Sequence, residues 1–277
     1  MSDGDRARVI AFAKRTSIWI PLAIGGLYML VPLVWMLLTA FRTEQSIFSG
    51  SYAVDAWTLE NFRTAFTEIP WARYYTNGVI VTGSIFLAQL VFSIPAAYAL
   101  ARFRFRGSRL GFRVVLLCLM VPVQITAVPI YVVFSKAGLV DTLSSLILPF
   151  IGSAFGIFLF RQFILTIPSS VFESARMDGV GHASMVWRIV VPTLSPAILS
   201  FAIFSFTAHW NDYFWPSVML RSTDAATVPY GVVRFASGEA GPSYGPQMAA
   251  ATLAIAPLVI TFLLAQKHFI RGMALNN

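Results

Sequence analysis

The sequence predicts an all-α integral membrane protein with six transmembrane helices. Three observations lead there. Of its 277 residues, 57% are hydrophobic and only 12% are charged, against about 25% charged in an ordinary soluble domain. The apolar residues gather into blocks of roughly the 20 residues that cross a bilayer. The basic residues sit in short runs between those blocks. One soluble core could not hide so much apolar surface, because single domains stop growing near ~250–300 residues.

The first block, Ile18 to Phe41, follows Arg6, Arg8, Lys14 and Arg15. It is too long for the apolar core of a signal peptide, and no small-residue cleavage site follows, so it is expected to stay as an anchor. The second block covers Val79 to Ala101, the third Gly111 to Phe134 and the fourth Leu143 to Leu165. The fifth covers Val191 to Leu220 and the sixth Met248 to Gln266. Pro21, Pro32, Pro95, Pro122 and Pro129 fall inside these blocks; each removes a backbone hydrogen bond and can kink its helix.

Six spans put both termini on one side. With that side in the cytoplasm, 14 Lys and Arg lie inside and 6 outside, the bias of the positive-inside rule. The run from Arg102 to Arg109 weighs most, because so basic a short loop resists translocation. The net charge of +8 is therefore topological, and no extended basic face suits a nucleic acid backbone. Cys118 stands alone in an apolar block, and the three histidines show no metal-ligand spacing.

Between the fourth and fifth spans, Pro168 to Pro192 reads as a short amphipathic helix, a sharp turn and a second short helix. Ser170 and Glu173 have capping-box spacing. Asp178 favours a turn, and Gly179 can close the first helix in the left-handed conformation. Phe172, Ala175 and Met177 on the first helix, and Met185, Val186 and Ile189 on the second, offer small and apolar surface. Docking into a groove of another protein and lying on the lipid headgroups both fit this pattern.

Glu173-Ser-Ala-Arg-Met-Asp178-Gly179 with Pro192 resembles the coupling loop of type I ABC importer permeases, written E-A-A-x-x-D-G with a proline thirteen residues after the glycine. Glu173, Ala175, Asp178, Gly179 and Pro192 match; Ser174, Val180 and Val186 depart mildly. His209 to Pro216 resembles the W-N-D-x-x-W-P stretch of carbohydrate-uptake permeases of the maltose and glycerol-phosphate type. Gln266 to Gly272 is similar to their cytoplasmic ending. The resemblance implies a type I ABC importer transmembrane domain in the bacterial cell membrane. It implies a cytoplasmic tail at 1–17, a first span at 18–41 and an extracytoplasmic segment at 42–77. A five-helix core at 78–266, with the coupling loop at 166–192, would precede a tail at 267–277.

The resemblance further implies three kinds of partner in the lipid bilayer: a second permease subunit, ATP-binding ABC subunits and an extracytoplasmic solute-binding protein. Glu173, Ser174, Ala175, Asp178, Gly179, Val180 and Pro192 would form the ATPase-coupling element. The chain carries no phosphate-binding loop, so ATP and magnesium would be bound by the partner and this chain would hold no cofactor.

Asp212 is the one acidic residue inside a predicted span, where charge is costly and usually functional. Trp210, Asn211, Asp212 and Trp215 are expected either to line an outer vestibule or gate, or to form an interfacial aromatic belt with Asp212 snorkelling or capping a neighbouring helix. Trp57, Trp71, Tyr230 and Tyr244 in the outer segments are candidates for contact with a binding protein. A membrane enzyme would need more than His209 and Asp212. An ion-driven secondary transporter often shows inverted repeats, and none is evident.

Overall fold

The computed structural model describes residues 3–50, 57–236 and 243–274. The chain divides into two compact units, Met1–Ile69 with Val232–Pro257, and Pro70–Gly231 with Leu258–Asn277.

In the first unit α1 (Asp3–Ala40) runs uninterrupted through Pro21 and Pro32. It is followed by α2 (Glu44–Ser49) and α3 (Glu60–Glu68). Asn61 ties the end of α1 to α3, its side-chain amide donating to the carbonyls of Ala40 at 3.0 Å and Arg42 at 2.7 Å. The apolar side chains of α1 are largely exposed among the described residues. Trp57 and Tyr244 are exposed.

The second unit begins with α4 (Trp71–Arg102), α5 (Ser108–Cys118) and α6 (Val123–Lys136). The third predicted span is thus two helices, bent by 99° at residues 119–122. Pro122 explains the break: it has no N–H to offer the carbonyl of Cys118, and it disfavours helical backbone at Val121. Pro95 and Pro129 are carried inside α4 and α6 without ending them. Cys118 is exposed rather than buried.

The fourth predicted span opens with α7 (Leu143–Ile147), passes through a 3-10 turn at Leu148–Phe150, and continues as α8 (Ala154–Thr166). Unsatisfied backbone carbonyls are costly in a membrane interior, and here side chains meet them. Gln89 Nε2 donates to the Phe150 carbonyl at 3.0 Å and Trp215 Nε1 to that of Ser145 at 2.9 Å. Ser205 Oγ in turn donates to Gln89 Oε1 at 2.7 Å. At Gly156 a Cβ would sit 3.1 Å from the Phe201 ring and 3.2 Å from Ser93 Oγ, so a small residue allows the close helix contact.

After α9 (Ser169–Met177) and α10 (His182–Thr193, with a π turn at Met185–Val190) comes α11 (Ser195–Trp210). α10 and α11 meet at 79°, where Pro196 cannot donate to the carbonyl of Pro192. The fifth predicted span therefore narrows to α11. It is followed by α12 (Phe214–Met219), α13 (Val228–Ala236) and α14 (Tyr244–Ala274). The resemblance at Gln266–Gly272 concerns side chains outside the described residues.

Between α6 and α7, Asp141 holds a positive φ of 66° and fastens the segment after α12. Its carboxylate accepts from the N–H groups of Arg221 and Ser222, both at 3.0 Å, and from the Ser222 hydroxyl. Burial pushes that carboxyl up, but these hydrogen bonds outweigh it and hold it below the usual carboxylate range. Trp71 and Tyr230 are buried, which removes them from the surface expected to meet a binding protein.

Candidate coupling site

The site is built on one end of three helices. Ile94, Ala97 and Tyr98 of α4, Phe160 and Ile164 of α8, and Ala197 and Phe201 of α11 form one buried cluster. Phe172 and Ala175 of α9 and Met185, Val186 and Val190 of α10 belong to the same cluster. The two short helices are thus an extension of the core. The apolar residues expected to face a partner, Phe172, Ala175, Met185 and Val186, are instead turned inward; half-buried Ile189 packs against the same cluster. Helical spacing identified an apolar face correctly, but could not say whether the chain itself would cover it.

What remains outside is compact. Glu173, Ser174, Asp178, Gly179 and His182 are exposed, Met177 is 89% exposed, and Trp187 is half-exposed. Val186 is buried while its neighbour Trp187 reaches the surface. Pro192 is exposed at the end of α10, and Val180 is half-buried.

The turn between α9 and α10 has full Schellman geometry. Gly179 adopts φ +73°. Its N–H donates to the Arg176 carbonyl at 3.0 Å, and the Val180 N–H donates to that of Ala175 at 2.9 Å. Val180 then packs against the core that holds Ala175, the apolar contact that accompanies this motif. The other end differs from expectation. The N-cap is Pro168, without a side-chain cap, and Ser170 lies inside the helix, so the Ser170–Glu173 capping box does not form. Proline's fixed φ supplies the entry instead.

Arg102, counted in the sequence only as a topological charge, clamps this arrangement. Its Nη2 donates to the carbonyl of Ile164 at 2.7 Å and to that of Ile167. The Ile164 carbonyl also accepts from the Ile167 N–H at 3.3 Å, so the arginine reinforces the last turn of α8, where carbonyls run short of helical donors. The guanidinium also lies over the Phe172 ring, 4.0 Å from its centroid. One side chain therefore joins the ends of α4 and α8 to α9. Tyr98 adds ring contacts to Phe103, Phe172 and His182.

The second group of candidates does not converge on an open lining. Trp210 is buried against Gly78 and stacks between Tyr75 and Phe206. Trp215 is buried and pins α12 to α7. Asp212 stands beyond the end of α11, not within a span, and accepts from the Trp215 N–H at 3.1 Å. That bond ties Asp212 to the first turn of α12. Asn211 is exposed, its amide donating to the Thr207 carbonyl at 2.9 Å. His209 and Gln89 meet at 3.3 Å and form, with Ser205, a polar cluster that no local sequence pattern brings together.

Comparison with known proteins matches residues 89–275 to the family described as binding-protein-dependent transport system inner membrane component. The arabinooligosaccharides transport system permease AraQ of Halalkalibacterium halodurans is 32% identical, covering 88% of this chain and 89% of that protein. The sn-glycerol-3-phosphate transport system permease UgpE of Yersinia pestis is 30% identical over 92% and 94%. The diacetylchitobiose uptake system permease NgcG of Streptomyces coelicolor is 29% identical over 89% and 83%. Among solved structures, a chain of a bacterial ABC transporter importing the acidic polysaccharide alginate superposes with a TM-score of 0.77. It shares 22% identity, with 97% of this chain and 99% of that one covered.

Proposed function

This chain belongs to the family of binding-protein-dependent transport system inner membrane components, and from that premise we propose that it is a permease subunit of an ATP-driven importer for a sugar or sugar-like solute. It crosses the membrane six times with both termini in the cytoplasm, and pairs with a second permease. ATP and magnesium bind to partner ABC subunits, so this chain performs no hydrolysis. An extracytoplasmic binding protein delivers the solute. Asn211, on the turn braced by Trp210, Asp212 and Trp215, borders the outer end of the path.

The observation that carries this reading is the exposed ridge from Glu173 to Gly179, closed by a Schellman turn and rooted in the core of α4, α8 and α11. A coupling element has to move as one piece with the helices that it drives, and a frayed loop would absorb the displacement. Glu173, Ser174, Asp178 and Gly179 present the docking surface, while Ala175, Val180 and Pro192 shape and anchor it.

The test is purification of the tagged chain from its native membrane in mild detergent, followed by identification of bound proteins by mass spectrometry. A second multi-span permease and an ATPase with a phosphate-binding loop are expected. Recovery of the chain alone under gentle extraction would overturn the reading. Uptake assays in the intact cell then separate saccharides from glycerol phosphates as the solute class.

Gly179→Pro tests the ridge itself, because proline fixes φ near −65° where the turn needs +73°. The variant is expected to insert and to retain its partner permease, yet to lose coupled uptake. Normal uptake by it would contradict the coupling assignment.

A further inference from the structure

We propose that the inner end of α5 carries a binding site for the phosphate headgroup of an anionic phospholipid. The proposal rests on the cytoplasmic placement of this end given above, and concerns a place apart from the coupling ridge. A cavity of about 230 Å³ opens here, lined by Leu100, Ser108, Arg109, Phe112, Arg113 and Arg161. Three guanidinium groups from two helices converge on it, and no carboxylate lines it. Among the described residues none of the three forms an ion pair. Arg161 is held in position: its Nε donates to the Leu100 carbonyl at 3.2 Å, and its guanidinium lies 3.9 Å from the Phe112 ring centroid. Its amino groups are left for a ligand. Planar guanidinium groups match phosphate oxygens in geometry as well as charge.

The neighbourhood points to a lipid as the source of that phosphate. On α5, Leu110, Val114 and Leu117 are exposed large apolar residues, spaced to form one stripe beside Arg109 and Arg113. An acyl chain can follow that stripe while its headgroup sits among the arginines. The preceding loop exposes Arg104, Phe105 and Arg106, a basic and aromatic pairing suited to the headgroup layer. Anionic lipids on the cytoplasmic leaflet attract such juxtamembrane charge. Soluble phosphate would satisfy the arginines but leave the apolar stripe without a role.

The experiment is native mass spectrometry of the purified transporter in micelles titrated with phosphatidylglycerol or phosphatidylcholine, with and without inorganic phosphate. Phosphatidylglycerol is expected to be retained in preference. Each arginine removed should weaken retention about fivefold, so R109Q/R113Q should lose about twenty-five-fold. Equal retention of both lipids by the unmodified transporter would overturn the proposal, as would full retention of phosphatidylglycerol by R109Q/R113Q. Displacement of the lipid by millimolar phosphate would assign the site to a soluble anion and equally overturn it. The lipid titration needs no variant, so it decides even if R109Q/R113Q fails to fold. Bound ATPase is scored in the same preparation, so lipid selectivity can fail while the transport reading stands.

Discussion

α1 and α4 are both long, both contain proline, and share the same mean hydropathy across their apolar stretches, yet only 6% of the first is buried within the chain against 33% of the second. The difference is written in their polar residues. From Trp19 to Leu38, α1 is apolar but for Tyr28 and two glycines. On α4, Val81, Ile85, Gln89, Ser93 and Ala97 follow one another at four-residue spacing and are all buried. In lipid, apolar side chains gain little by leaving solvent, so protein-facing surfaces are marked by small and polar residues. Hydropathy reports that a helix lies in the membrane; it does not report what the helix touches.

Substitutions can break or sharpen this contrast. The largest loss is expected from Phe160→Ala, at the centre of the α4–α8–α11 cluster, at about 3–5 kcal/mol for a fully buried aromatic. Thermal unfolding of the solubilised chain measures it, and a negligible shift would mean that the cluster is not the stabilising core. Arg102→Ala should cost less, about 1.5–3 kcal/mol for charge-assisted hydrogen bonds. Its distinguishing result is faster proteolysis at 169–193, because the clamp on α9 is gone; unchanged cleavage there would rule out the clamp. Leu27→Ala, on a side chain 66% exposed, should change unfolding by no more than about 0.5 kcal/mol. A loss comparable to that of Phe160→Ala would show that α1 is held by protein after all.

The all-α character and the presence of several long apolar helices are legible in the sequence, because an apolar block of that length has few other uses. The breaks were harder to see. Ten prolines sit in predicted spans, but Pro122 ends a helix where Pro95 does not, and proline itself does not say which. Gly179 was readable because only a left-handed residue closes the helix there. The Ser170 cap was misread because Pro168 starts the helix earlier than the motif suggests. Phe172 and Ala175 were placed on the wrong side because periodicity names a face and not its neighbour. Arg102 and Gln89 act across separations of more than 60 residues, which no local pattern contains.

The bond between Gln89 and Ser205 spans 116 residues of chain, and this has a consequence in time. At about 5–20 residues per second of synthesis, the oxygen of the Gln89 amide waits roughly 6 to 23 s before its partner has been made. Hydrocarbon offers it nothing in that interval. α4 therefore carries a polar group whose final partner comes late, whereas the apolar stretch of α1 has no such debt to a later helix.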